Sequence, residues 1–493
     1  MRKIIEKQQK LGQVPMSEIF IDINSRDEIP QLLLGLQFID SNIALRNEVY
    51  NILQDIIPKS IDPKKGRAGM NLWNILVLGT LRLNCNWDYD KIHNIANEHY
   101  TVRQFLGHTI YDFDKKYGLQ TIKDNVALLT PDILDRINQL VVNAGHDLLV
   151  SSSKEPLKIK GRCDSFVVET DVHFPTDINL LLDAIRKALF LISKECEKHG
   201  ISEWRQFTHI FKKVKKHFNH ANRIKRSNSK NPNKKALREQ QIVATHVAYV
   251  DLVESYIERV KQSIEILNGM GLMAIAVILM VEKYIMHAER QIDQIRRRVV
   301  KNETIPHHEK VFSIFEEHTE WISKGKAGVN QELGLRVCVL EDQYGFILHH
   351  HVMENQTDDK VAIQMVMRAR KKFPDLKSCS FDKGFYSPQN KIELSDYLEK
   401  VILPKKGKPT KKENEEKNTE EYKTLRRKHS AVESGINALE NHGLDRCRDH
   451  GLTGFNRYIS LAVLARNIQI LGTIIQKNKL KQQNRKVTIK TAA

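Results

Sequence analysis

The sequence predicts an α+β protein in which a mixed sheet is interrupted by a large block of helices. Three observations support this fold class. Residues 1–150 carry apolar side chains at helical spacing. Runs typical of strands occur at 157–170 and resume only at 333–403. Residues 178–309 between them show helical periodicity and no convincing strand.

The first 150 residues predict an all-α region. Apolar stripes indicate helices over Gln31–Ile39 and Asn71–Leu83, and a third helix over Asp88–His99 follows a short break. A helix, a short break and a second helix with basic residues nearby are typical of a helix-turn-helix-like DNA-binding module. A plain helical bundle gives the same pattern, so both alternatives remain open.

The later strands follow a defined order. Gly334–Leu340 and Phe346–Val352 flank a turn and predict a hairpin. A helix over 358–372, a strand ending at Asp382, a helix opened by Ser387-Pro388, a short strand and further helices come next. Without the helical block, this is the order of a ribonuclease-H-like sheet. We therefore predict a catalytic domain over 157–177 and 310–475, a helical insertion over 178–309 and a basic tail over 476–493.

Composition indicates the class of partner. The chain has 493 residues, long enough for several domains, with 78 Lys and Arg against 60 Asp and Glu, a formal net charge of +18. A protein this basic usually binds a polyanion, and nucleic acid is favoured over a ribosomal or membrane-surface role.

Cysteine usage and apolar runs indicate a cytoplasmic protein. The six cysteines occur singly and without zinc-knuckle spacing, so we predict buried thiols in a reducing compartment. The first residues lack the apolar core of a signal peptide. The longest apolar run, Gly269–Val281, is shorter than the roughly 20 residues of a membrane helix, so we predict a buried helix segment there.

Three acidic residues stand out as candidate catalytic groups. Asp164 lies within a strand-like run, and Asp382 ends another and is followed by Lys-Gly-Phe-Tyr386. Glu433 lies on a helix whose apolar stripe contains Ile436 and Leu439. Carboxylates on rigid elements are the ligands that Mg²⁺ or Mn²⁺ prefers, and two such ions can promote phosphodiester chemistry. Each residue alone is a weak signal, whereas their joint occurrence in a basic chain predicts a two-metal site.

Other polar residues nearby have simpler explanations. Glu169 should face the opposite side of the strand from Asp164, and Asp177 should cap the following helix. The run His349–His351 cannot converge on one ion, because consecutive strand side chains alternate between faces.

A basic segment indicates where nucleic acid binds. Arg205–Arg238 contains twelve Lys or Arg, no acidic residue, and interleaved aromatics that include Trp204 and Phe218 beside and within it. We favour contact with a phosphate backbone over a solvated loop. For the loop at Lys405-Lys406, contact with phosphate and a solvated loop are given equal weight. The candidate DNA-binding residues are Lys212, Lys213, Lys215, Lys216, Arg223, Lys225, Arg226, Lys405, Lys406, Arg426, Arg427 and Arg446.

Three segments together resemble a known family. Asp164–Asp177, Asp382–Tyr386 and Arg427–Leu439, the last continued by Gly443–Arg446, resemble bacterial insertion-sequence transposases of the DDE type. The similarity is to the group related to IS4 and IS5, and most closely to the ISNCY type. One departure is that His429 occupies the place, four residues before Glu433, where the IS4 signature has Arg.

The resemblance implies a function. It implies that Asp164, Asp382 and Glu433 bind two Mg²⁺ or Mn²⁺ ions. It implies that the enzyme cuts double-stranded DNA at the element ends, and that the exposed 3′-hydroxyl then attacks target DNA by transesterification. It also implies recognition of terminal inverted repeats by the N-terminal region, an insertion that holds the element end, at least a homodimer, and a bacterial, nucleoid-associated location.

Two alternatives remain beside the transposase. A ribonuclease-H-like nuclease without strand transfer would have the same fold and the same acidic residues. A non-catalytic DNA-binding protein derived from a transposase is a third hypothesis. The intact set of three carboxylates argues against it, because a scaffold does not need them.

Overall fold

The computed structural model describes residues 11–58, 69–150, 158–226, 231–323, 331–405, 407 and 411–491. The chain forms two compact units, one of Met1–Asp171 with Glu320–Ala493 and one of Val172–Thr319. Lys406 and the side chain of Arg226, both predicted to contact DNA, lie outside what is described.

The first unit contains one sheet of seven strands in the described part of the chain. The strands are β1 (Ile159–Thr170), β2 (Glu320–Ser323), β3 (Gln331–Glu341), β4 (Ile347–Met353), β5 (Leu376–Phe381), β6 (Lys400–Ile402) and β7 (Arg446–Cys447). Their order is β2-β3-β1-β5-β6, with β4 also on β3 and β7 also on β1. Pairs among β1 to β4 are antiparallel and pairs to β5, β6 and β7 are parallel.

This mixed sheet confirms the predicted α+β class, and the β3–β4 hairpin confirms the predicted turn. The strands β2 and β7 were not predicted, because four and two residues are too few for an alternating pattern to be recognised.

Helices precede and follow the sheet. Those before it are α1 (Ile29–Ser41), α2 (Ile43–Leu53), α3 (Leu72–Asn84), α4 (Tyr89–Glu98), α5 (Tyr100–Phe105), α6 (Leu119–Val126) and α7 (Pro131–Val150). Those of the second unit are α8 (Asp177–Lys198), α9 (Phe207–Arg226), α10 (Pro232–Leu267) and α11 (Leu272–Ile295). Those that alternate with or follow the later strands are α12 (Asp358–Lys372), α13 (Pro388–Tyr397), α14 (Lys411–Asn418), α15 (Glu420–His429), α16 (Ala431–Leu439) and α17 (Gly451–Thr491).

The N-terminal helices share one hydrophobic core with the sheet, although the sequence predicted a separate region over 1–150. Every residue of α3 is buried. The helices α1, α3 and α7 pack against α17. A Cβ added at Gly35 or at Gly472 would collide with the backbone of the facing helix, so these glycines let α1 and α17 approach closely. This packing is that of the helical-bundle alternative, and DNA contact by this region stays a prediction.

The helix α17 packs in the core of the first unit. Its part Gly451–Asn484 is the one described helix long and apolar enough to cross a membrane, but 72% of its most apolar window is buried inside the protein. Burial against α1, α3 and α7 identifies it as a core helix. The predicted basic tail from residue 476 is not separate, because its described backbone continues α17 to Thr491.

The second unit has its own apolar core, built from α8 to α11. It spans Val172–Thr319, which is wider at both ends than the predicted insertion at 178–309. Two expectations were wrong here. The run Gly269–Val281 is not buried throughout, since Leu272 is 85% exposed at the start of α11 and only one face of that helix packs. Thr176 caps α8, whereas Asp177 pairs with Arg298 at 3.2 Å.

Candidate active site

The sheet places Asp164 and Asp382 on neighbouring strands. The parallel pairing of β1 with β5 ends at Cys163 and Phe381, directly before the two aspartates. Paired strands lie about 4.8 Å apart. On the same side of β1, pairing with β7 begins only at Glu169. Between these partners, β1 is paired only with β3 in the described part of the chain, which leaves a gap beside Asp164.

Glu433 faces this gap from α16. Val432 and Leu439 anchor α16 in the core, while Glu433 is exposed. The three predicted carboxylates thereby line one cleft of about 650 Å³. The other lining residues are Ser165, Phe166, Arg426, His429, Ser430, Ile436 and Glu440. The structure therefore brings together groups that are 218 and 51 positions apart in sequence (382 − 164 and 433 − 382).

The cleft carries an excess of negative charge, since Asp164, Asp382, Glu433 and Glu440 line it together with one arginine, Arg426. The pKa of Asp164 is raised to about 6, chiefly because its carboxyl is buried and further because Asp382, Asp358 and Glu433 lie nearby. A hydrogen bond from the backbone N–H of Ser165, at 2.8 Å, opposes this effect. A carboxyl whose pKa is raised by burial and by neighbouring carboxylates is a group that a bound cation would stabilise in its ionised form.

The donor chemistry of the cleft fits a divalent cation, because carboxylate oxygens are the ligands that Mg²⁺ and Mn²⁺ prefer. The arrangement is open, however. Among the described residues, no group of three His, Cys, Asp or Glu side chains lies close enough to hold an ion. The side chains of Asp382 and Glu433, both exposed, would have to close toward Asp164 on binding.

Arg426, predicted to contact DNA, bonds to the strand end that carries Asp382. Its guanidinium donates from Nη1 to the carbonyl of Phe381 at 3.1 Å and from Nη2 to Oδ1 of Asp382 at 3.4 Å. The side chain is engaged at the end of β5 and is partly exposed, and DNA contact by Arg426 stays a prediction.

His429 lies at the position, four residues before Glu433, where the sequence differs from the IS4 signature that it resembles. It is buried, and its Nδ1 lies 3.0 Å from the hydroxyl of Ser380 on β5. Burial, followed by the charge of Arg426, lowers the pKa of His429 to about 4. The imidazole is therefore neutral at physiological pH and cannot provide the positive charge of the arginine it replaces.

Three further predicted DNA contacts differ in their surroundings. Arg446 is paired with Glu169 at 3.1 Å and with Asp171 at 3.6 Å, so its charge is matched within the first unit. Arg427 is exposed on α15, as phosphate contact requires. Lys405 is half-buried after β6, beside Tyr386 and Lys391.

The predicted basic run is an amphipathic helix. On α9, Ile210, Val214 and Ala221 are buried in the core of the second unit. Its basic face lines an open groove of about 590 Å³ formed by Lys212, Lys215, Lys216, His217, Asn219, His220 and Arg223. Trp204 is buried and Phe218 packs against Tyr249, so these two aromatic residues belong to the core and are not available to stack on bases.

The histidines of β4 diverge, as predicted. His350 bonds through Nε2 to Ser460 at 3.0 Å, and His351 bonds through Nε2 to Gln356 at 2.9 Å. His349 is buried, and neither of its ring nitrogens has a hydrogen-bond partner among the described residues.

Sequence reasoning missed two carboxylates next to the cleft. Glu341 accepts a hydrogen bond from Arg162 at 3.1 Å and lies against Gly435, where an added Cβ would collide with its Oε2. Burial raises the pKa of Glu341 to about 7. Asp358 accepts a hydrogen bond from Ser165 at 2.6 Å. In sequence, Glu341 reads as part of a turn and Asp358 as an ordinary acidic helix start, so neither gives a distinct signal.

Comparison with known proteins gives one match. Residues 296–468 match the family model described as a transposase DDE domain. The matched segment contains Asp382 and Glu433, whereas Asp164 lies outside it. No curated protein and no solved structure matches the chain.

Proposed function

We propose that this chain, which is a DDE-type transposase by its match over residues 296–468, cuts DNA at the ends of its element and joins the freed 3′ ends to target DNA. The observation that supports this best is the meeting of Asp164, Asp382 and Glu433 in one cleft. The strand order, with antiparallel pairs followed by parallel ones, supports our interpretation of the sheet as ribonuclease-H-like.

The three carboxylates are the proposed ligands of two divalent ions, Mg²⁺ or Mn²⁺. Such ions, when bound, activate the attacking oxygen and stabilise the leaving oxygen of a phosphodiester. The remaining residues orient the ligands. Arg426 fixes the carboxylate of Asp382, and β1 fixes Asp164 between β3 and the end of β5.

Binding of double-stranded DNA is proposed to depend on the exposed basic face of α9. Lys212, Lys215 and Lys216 lie on one surface, opposite the buried apolar stripe of the helix. Several lysines on one face neutralise successive phosphates without reading the bases. Recognition of the terminal repeats is proposed for the helices of residues 1–150, where the polar face of α4 is exposed. Because two element ends are joined in one reaction, we propose that the protein acts as at least a dimer. We propose that it acts on DNA in the bacterial cytoplasm.

The test uses Mg²⁺, duplexes taken from the two flanks of the gene and a supercoiled target plasmid. Joined products support the proposal, and they should disappear when EDTA removes the ions. Nicked or cut duplexes without joining would support a nuclease. A gel shift without any cleavage would support a DNA-binding protein.

The variant Asp382→Ala tests whether the cleft is the catalytic site. It should abolish cutting and joining while leaving the gel shift largely unchanged, because Asp382 contributes to chemistry and not to the basic surface. The exposed Asp396 provides a matched control, and Asp396→Ala should cut normally. An Asp382→Ala protein that cuts like the wild type would show that the site lies elsewhere.

A further inference from the structure

The carboxylate of Asp358 makes its contacts outside the helix that it begins. An acidic residue in the first turn of a helix is ordinarily explained by the helix dipole. Asp359, the next residue, bonds locally, since its carboxylate accepts a hydrogen bond from the hydroxyl of Thr357 at 2.6 Å. Asp358 instead accepts from Oγ of Ser165 at 2.6 Å, and Ser165 directly follows Asp164 in β1. A short hydrogen bond thus joins α12 to β1 beside Asp164.

The second oxygen of Asp358 lies at Gly384, two residues after Asp382. A Cβ added at Gly384 would lie 2.6 Å from Oδ2 of Asp358. The φ angle of Gly384 is outside the left-handed region, so the backbone does not require glycine there. The Asp358 carboxylate thus occupies space that a side chain at residue 384 would need.

Hydrogen bonds from Asn390 hold together the two segments that meet at Asp358 and Gly384. The buried amide of Asn390 donates to the carbonyl of Asp359 at 2.7 Å and to the carbonyl of Phe385 at 2.9 Å. These bonds tie the start of α12 to the turn that follows Asp382. Asp358 can therefore not move without moving that turn or breaking the bond to Ser165.

We propose that Asp358 is a positioning residue of the cleavage reaction. One of its oxygens holds Ser165 and the other lies against Gly384, so it fixes the ends of β1 and β5 at the spacing that brings Asp164 and Asp382 together. The inference rests on the proposed function. The pKa of Asp164, raised by burial and then by Asp382, Asp358 and Glu433, agrees with Asp358 lying beside the cleft.

The first experiment measures kcat and KM for cleavage of the flank duplexes. Asp358→Ala should lower kcat about 100-fold, the loss expected for a misplacement near 1 Å, while KM for DNA stays unchanged. Asp358→Asn should retain most of kcat, because its amide oxygen still accepts from Ser165. Asp359→Ala is the matched control and should behave like the wild type. Equal losses in Asp358→Ala and Asp359→Ala, or an Asn variant as slow as the Ala variant, would overturn the inference.

The second experiment tests the contact itself by a double-mutant cycle. Gly384→Ala should lower both kcat and the urea midpoint in the wild-type background. In the Asp358→Ala background the same substitution should have little effect, because the colliding carboxylate is gone. An equal effect of Gly384→Ala in both backgrounds would refute the contact.

The urea measurement needs neither DNA nor metal, so the two proposals can fail separately. A wild-type protein that cuts no DNA overturns the proposed function even if the coupling is present. An active protein without the coupling overturns the role of Asp358 alone.

Discussion

The acidic cleft of the first unit and the basic helix α9 of the second unit differ in the sign of their charge, in its exposure to water and in how far apart in sequence the charged residues lie. The cleft collects carboxylates from β1, the end of β5 and α16, and one of them, Asp164, is largely removed from water. The lysines of α9 come from one continuous segment and remain exposed. In the cleft, position and protonation of each group matter. On α9, the number of charges on the face matters more than the location of any one.

The difference teaches that the two surfaces tolerate substitution differently. A buried charge is sensitive to its neighbours because the local dielectric constant is low, whereas exposed charges are screened by salt. Changes near the cleft should therefore alter reaction rate, and changes on α9 should alter affinity and its salt dependence. The first two of the following predictions test this contrast, beginning with the larger effect, and the third concerns the stability of the first unit.

The largest effect is expected from Gly435→Ala. An added methyl group would collide with the carboxylate of Glu341, which is buried and held by Arg162. Because Arg162 holds the other carboxylate oxygen of Glu341, we expect α16 to shift and to displace Glu433. The expected result is a loss of cleavage rate of about 100-fold with unchanged DNA affinity. Gly454→Ala provides the control, because a Cβ there meets only ordinary contacts. A Gly435→Ala protein with normal rate would show that the cleft tolerates movement of α16.

A smaller effect is expected from removing two charges on α9. Lys212→Ala with Lys216→Ala should weaken DNA binding about tenfold and reduce the slope of log affinity against log salt by up to about 1.8. The cleavage rate at saturating DNA should not change.

The control for α9 is a pair with the same spacing on α8. Lys194 and Lys198 are exposed but already paired with Glu197 and Glu195, both at 2.8 Å. Their double replacement by Ala should reduce the salt slope less. If both pairs have equal effects, net charge and not the face of α9 governs binding.

A third effect, of about the same free energy as the tenfold loss on α9, concerns stability and pH. Burial lowers the pKa of His349 from 6.5 to about 2. Because the folded-state pKa is below the unfolded-state value, stability is full above pH 6.5 and is lost as pH falls, when the unfolded chain takes up the proton. Between pH 7.5 and 5.5 this one group should cost about 1.4 kcal/mol of unfolding free energy.

The measurement compares urea unfolding of wild type and His349→Leu at the two pH values. The variant should lose less stability on acidification, since it lacks the buried imidazole, for which the described part of the chain offers no hydrogen-bond partner. His450→Leu, at an exposed position, should retain the wild-type pH dependence. Identical pH dependence in wild type and His349→Leu would show that this histidine is protonated equally in the folded and unfolded states.

Much of the fold could be predicted from the sequence. The helix over 358–372 and the hairpin around Glu341–Gly345 were predicted with nearly the observed bounds, because periodicity and turn residues are local signals. The start of α11 was wrongly predicted to be buried, because that prediction also depended on a local signal alone. A run of apolar residues indicates a helix, but whether both its faces are covered depends on distant segments.

The residues of the candidate site also divide into those that local sequence could identify and those that it could not. Asp164, Asp382 and Glu433 could be selected because each lies in a recognisable local setting. Asp358, Glu341 and the inward role of Arg426 could not, since their significance comes from partners between 44 and 193 positions away. A helix-starting aspartate and an arginine on a polar helix face look the same in sequence whatever they contact.

By itself, the sequence determined the kinds of elements, the excess of positive charge on α9 and the three acidic residues, because these depend on side chains within a few positions of each other. Only the tertiary structure decided that β1 pairs with β5 up to Cys163 and Phe381, that a gap opens beside Asp164, and that two glycines admit two further carboxylates. Strand register and close approach are set by packing between segments hundreds of residues apart, and no local pattern encodes that packing.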